Sequence, residues 1–233
     1  MTNADLLDSA VPAETALVHE GGSAGSASSD EMTMQGLFIC EAVASEKEPF
    51  IEFWAGQYRY ELEHLYETNI SIKPFTDDAI GNLYEWKNGR KLSEKKKQSV
   101  EGNYIAHKEH DLVKRAAEFV PTGSPADTAN LAKEFLSHFS KGGAIWRIFW
   151  LHCCNQRFPI YDQHVHRAMV FIEEGRIEEL DDFSDEKIEL YLTKYLEFHA
   201  RFPGDQRKVD KALVTFGRFL KEWSAIAAAS LKA

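Results

Sequence analysis

Residues 161–167 read YDQHVHR, placing Asp162, His164, His166 and Arg167 within six positions, directly behind the aromatic-rich run AIWRIFWLHCCNQRFPI. Three kinds of chemistry use such residues. A carboxylate can stabilise a developing cation or position water, imidazoles and carboxylates can ligate a metal, and an Asp ahead of an amphipathic run can cap a helix. The metal reading fails on geometry. His164 and His166 are two apart, so on a regular helix they point about 200° away from each other. Asp162 and His166 stand at i and i+4, but two ligands do not make a site. No metal and no cofactor is expected. Capping follows from position alone, because Asp162 ends an extended FPIY segment and opens a helix that turns Val165, Met169 and Ile172 inward.

The elements that must position these residues are helical from residue 34 onward. Residues 49–66 carry Phe50, Phe53, Trp54, Tyr58, Leu62 and Leu65 on one stripe behind Pro49, which predicts one helix. Thr76 caps a helix with Asp77 and Asp78 in its first turn and Ile80, Leu83 and Tyr84 inward. Ser93 caps a charged helix with a break near Gly102, and Ser124 and Pro125 open another. Residues 144–154 are apolar on nearly every face and form the central buried helix, whose polar exceptions Arg147 and His152 need internal partners. Helices follow over 162–175, 184–200 and 205 to near 229. A short ribbon at GLFIC (36–40) is the one strand candidate. The expectation is an all-α domain of about eight helices over residues 34–233.

Residues 1–33 are Gly/Ser-rich and acidic, with six carboxylates and no Lys or Arg before residue 32. They are expected to form a disordered tail that could dock a protein partner. Over the full 233 residues the net charge is −10, which argues against tight nonspecific binding to nucleic acid while leaving room for a local basic face. Residues 87–115 supply one, with nine bases against four acids; Lys95, Lys96 and Lys97 are its densest part. Cys40, Cys153 and Cys154 suit neither a disulfide framework nor a chelating pair. With no stretch apolar enough to span a bilayer and no signal peptide, the expected location is the cytoplasm, away from membranes.

YDQHVHR, with the buried helix and loop before it, resembles the segment V-D-T-H-V-x-R of the helix-hairpin-helix DNA glycosylases, the superfamily of endonuclease III and 8-oxoguanine glycosylase. The resemblance covers residues 139–170 and implies an all-α fold and an essential catalytic carboxylate at Asp162 beside an extruded nucleotide. It makes Tyr161, His164, His166, Arg167 and Trp146 candidates for substrate contact, and Gly142 and Gly143 candidates for the hairpin that approaches a DNA phosphate. The sequence departs from the family in two ways. FSKGGAIWR lacks the Pro-Gly-x-Gly hairpin, and the lyase lysine would fall on Gly143 or Ala144, leaving Lys141 as the nearest substitute. The resemblance therefore implies a monofunctional glycosylase acting on DNA. The competing readings are a catalytically inactive nucleic-acid-binding module and a protein-interaction component of a bacterial stress or defence operon.

Overall fold

The computed structural model describes residues 47–120, 125–180 and 184–230. The expected tail, the GLFIC ribbon and the Ser124 cap lie outside the described residues. Among the described residues the protein is all-α, with no strand.

The chain opens with α1 (Lys47–Gly56), which buries Phe50, Ile51 and Trp54 on the expected stripe. The stripe does not continue as one helix; a second helix, α2 (Glu63–Asn69), starts only after a non-helical stretch. The chain leaves the helix at Gly56, a poor helix former, and the Arg59 guanidinium donates to the carbonyls of Gly56 and Tyr58 at 2.9 and 2.8 Å. The break frees Tyr60 to pack edge-on against Trp86. It also brings Tyr58 to Glu63, where its hydroxyl donates to the carboxylate at 2.9 Å.

Helix α3 (Asp77–Asn88) starts as expected, with Thr76 Oγ1 accepting from Ala79 N at 3.1 Å. It ends on Gly89 at φ 75°, a left-handed C-cap that glycine takes without steric penalty. Ser93 caps α4 (Glu94–Asn103), and a single 3₁₀ turn at Ile105–His107 leads to α5 (Asp111–Glu118), which is capped by His110 Nδ1. Then come α6 (Pro125–His138) and α7 (Ala144–Cys154). The last of these is the buried axis of the fold: every residue from Arg147 to Cys154 is buried. The free thiols of Cys153 and Cys154 sit in that core. Burial pushes both thiols up, that of Cys154 to about 12, so neither behaves as a reactive thiolate.

Helix α8 (Gln163–Glu174) follows the loop after α7 and closes on Gly175. The expected helix over 184–200 is continuous, with α9 (Ser184–Leu190) passing through a π-helical turn at Tyr191–Tyr195 into α10 (Leu196–Ala200). The long α11 (Gln206–Ser230) packs on both α1 and α8. At its crossing with α8, a Cβ added to Gly217 would stand 1.9 Å from the His164 carbonyl oxygen. Only glycine allows that approach, which seats the first turn of α8 directly against α11.

Candidate functional site

Asp162 is the N-cap of α8, and its extended backbone turns the carboxylate back over the first turn. Oδ1 accepts from His164 N at 2.9 Å and from Val165 N at 3.3 Å. Oδ2 accepts from Lys87 Nζ at 2.8 Å, and the Asp162 side chain keeps 21% of its surface exposed. Partial burial on its own would favour the neutral acid. The Lys87 ammonium and the helix N–H groups outweigh it and hold the carboxyl well below the usual carboxylate range. The group is therefore an anion at neutral pH, partly open to solvent and already bound to a cation.

Lys87 comes from the last turn of α3, where a basic side chain also meets the helix dipole favourably. In the sequence it is only one of nine bases in a charged stretch. Its partner is 75 residues away, and no local periodicity signals that pairing. Its ammonium also stands 5.9 Å from the centre of the Phe149 ring on α7.

The other polar residues of YDQHVHR face the interior. Tyr161, expected at the edge of a pocket, is fully buried. Its ring packs against Tyr195 and Tyr191, and its hydroxyl bonds His166 Nδ1 at 3.0 Å. The reason is the loop before it, since Phe158, Ile160 and Tyr161 all turn into the core ahead of the cap. His166 completes a chain to the surface through Glu178 Oε1 at 3.3 Å. With Nε2–H donating to that carboxylate, Nδ1 is free to accept from the tyrosine. Arg167 is fully buried, and its guanidinium reaches both Glu179 oxygens at 2.7 and 2.6 Å and the Gly217 carbonyl at 2.7 Å. The Gly217 bond fastens α8 to α11, the Glu179 bonds tie α8 to the segment that follows it, and together they leave little for a ligand. His164 is buried beside the Asp162 cap; desolvation first, with Arg218, Arg167 and Lys87, overrides Asp162 and lowers its pKa to about 4. It is a neutral imidazole, with Nδ1 facing Arg167 and Nε2 buried without a hydrogen-bond partner among the described residues.

The hairpin and basic-face candidates lie on other elements. Gly142 has φ 90° and makes the turn before α7, Gly143 is that helix's N-cap, and Lys141 is exposed on the turn. No bond joins Lys141 to Asp162; the amine that meets the carboxylate is Lys87. Trp146 is half-buried, stacked on Tyr84 with 5.5 Å between ring centres and the rings 14° from parallel. Lys96 Nζ lies 5.7 Å from the Trp146 ring centre and donates to Asn88 Oδ1 at 2.8 Å. Lys97 pairs with Glu94 within its own helix, and Lys95 is exposed. The structure thus brings Lys96 and Trp146 to one narrow crevice walled by Tyr84, Leu92 and Tyr104.

Two features escape reading from the sequence. A cavity of about 420 Å³ opens between α5 and α6, rimmed by Arg115, Glu118, Asp127 and Glu134, and it shares no residue with the Asp162 cluster. Glu63 gathers donors from three elements: Tyr58, Trp86 Nε1 at 3.1 Å, and Arg207 at 2.7 and 2.9 Å. This hub ties α2 and α3 to the start of α11. Compared with known family models, curated proteins and solved structures, the chain matches none.

Proposed function

We propose that this protein excises or recognises a modified base in DNA in the manner of the helix-hairpin-helix glycosylases, with Asp162 as the essential carboxylate and without lyase activity. The observation that supports it is the state of Asp162: ionised, at a helix N-terminus, one-fifth exposed at 21%, and paired with a lysine from another helix. Breaking a glycosidic bond leaves positive charge on the sugar. A preorganised anion stabilises that charge as it develops, and can align the water that completes the hydrolysis. Lys87 holds the anion in place. The positions of the family's lyase lysine are held here by Gly143 and Ala144, which supports hydrolysis rather than a Schiff base.

A second reading is favoured by a different observation. Both Asp162 oxygens are already occupied, and Tyr161, His166 and Arg167 are all bonded internally. A catalytically inactive nucleic-acid-binding or protein-interaction module would need no more of Asp162 than a cap and a salt bridge.

The test is base release from duplexes carrying a panel of modified bases. Asn caps a helix as well as Asp but supplies no charge, so Asp162→Asn should keep the fold, losing only the Lys87 salt bridge, and release nothing, while Asp162→Ala should lose a further ~0.5–2 kcal/mol of stability with the cap. Borohydride trapping should yield no covalent adduct. A wild type that releases no base from any duplex removes the enzymatic reading and leaves the binding module.

A further inference from the structure

Among the described residues three large apolar side chains are exposed, Phe53, Val120 and Ile226, and two of them belong to the pair of helices α1 and α11. Phe53 of α1 is 58% exposed and packs edge-on against Trp54, with 5.1 Å between ring centres. Trp54 in turn meets Phe216 and Phe219 of α11, each at 5.1 Å. Lys47 bonds the Arg201 carbonyl and Phe50 meets Phe216, so α1 and α11 advance in the same direction. The first ends at Gly56, whereas α11 runs on to Ser230. Phe219, Trp223 and Ile226 stand at i, i+4 and i+7 and share one face of α11. Phe219 and Trp223 are half-buried, and Ile226 is 53% exposed. The face that packs Phe219 on α1 therefore continues to Ile226, about 10 Å farther along the helix.

A contiguous apolar stripe marks a surface that something covers. The chain itself carries a cover close by. The described residues begin at Lys47, the first residue of α1, and ahead of it residues 34–40 read MQGLFIC, an uncharged run with Met34, Leu37, Phe38 and Ile39. Six residues separate Cys40 from Lys47. Extended, six residues span about 20 Å, whereas Phe53 lies only about 9 Å along α1 from Lys47. The run can therefore turn back along α1 and reach the stripe. A short tether also sets an effective concentration in roughly the millimolar range, which a second copy or a free partner would have to match. We propose that residues 34–40 fold back over Phe53, Phe219, Trp223 and Ile226, with Leu37, Phe38 and Ile39 as the apolar cover. This docking does not depend on what Asp162 does.

Cys40 reports on the docking in the full chain. Cys153 and Cys154 are buried in the core, so in the folded protein Ellman's reagent reads Cys40 alone, and a count of three thiols would expose unfolding. In the docked state only the undocked fraction reacts, and Cys40 should be modified at least about tenfold more slowly than in a synthetic peptide of residues 30–46. Phe53→Asp with Ile226→Asp puts two charges on the stripe at exposed positions and should bring the rate close to that of the peptide. Phe38→Asp, which lies ahead of the helices, should do the same without touching the core. A wild-type rate equal to the peptide's overturns the proposal. So does a slow rate that neither the stripe variants nor Phe38→Asp relieves. Protection that rises with protein concentration, together with a dimer in sedimentation that Ile226→Asp dissolves, would give the stripe to a second copy and overturn it as well.

Discussion

Replacing Lys87 with Met keeps much of the length of the side chain and deletes the charge that Asp162 faces. At 2.8 Å the direct attraction is about 6 kcal/mol for an effective dielectric of ~20. Desolvation of both groups offsets most of that. The two charged side chains keep 10% and 21% of their surface, so the pair lies between an exposed bridge and a sealed one. Asp162 would also retain its two backbone N–H bonds. A loss of about 1.5–3 kcal/mol at neutral pH is therefore expected, the range for a hydrogen bond to a charged group. The loss has a sign in pH. The folded carboxyl sits below its unfolded value, so its contribution is complete above the unfolded carboxylate pKa and disappears as pH falls through the folded one. Lys87→Met raises the folded value back toward the unfolded one, and the variant's stability should fall less steeply than the wild type's below about pH 4. Urea unfolding of the wild type, Lys87→Met, Asp162→Asn and the double variant closes a cycle whose interaction energy isolates the pair. A coupling below about 0.5 kcal/mol, or parallel acid limbs, would refute the reasoning, because such a bridge would be no better than a typical exposed ion pair.

The crossing of α8 and α11 predicts that Gly217→Ala is destabilising by at least about 1–3 kcal/mol in thermal unfolding, since the new Cβ meets a backbone carbonyl that cannot rotate away; an unchanged melting temperature would mean that the helices are not seated so closely. If the α4 lysines bind phosphate, replacing Lys95, Lys96 and Lys97 with Glu weakens binding to any duplex and makes the salt dependence of log K shallower by about 0.9 for each phosphate no longer neutralised. Equal affinity in wild type and variant would return those lysines to ordinary surface.

The features legible in the chain are local ones. Thr76, Ser93 and Asp162 cap their helices because an N-cap is satisfied by N–H groups two or three residues onward. The burial of α7 follows from apolar residues on nearly all its faces, which leaves no side to turn toward water. That burial requires partners for Arg147 and His152, and they are found in the Leu136 carbonyl at 3.1 Å and in Tyr66 and the Phe158 carbonyl at 2.7 and 2.8 Å. Periodicity fails where distant interactions override it. The stripe from Phe50 to Leu65 reads as one helix, yet it breaks after Gly56, and the break lets Tyr60 and Glu63 meet Trp86 and Arg207, contacts that no local periodicity signals. The orientation of the cluster is also beyond local rules: spacing puts Asp162 at a helix start but says nothing of Tyr161 turning into the core. The choice of Lys87 as the cation beside Asp162, and the need for glycine at position 217, exist only once α3, α8 and α11 converge. Helix caps and faces are set by neighbours a few residues away, whereas a salt bridge across 75 residues and a close backbone approach at a helix crossing are set by packing alone.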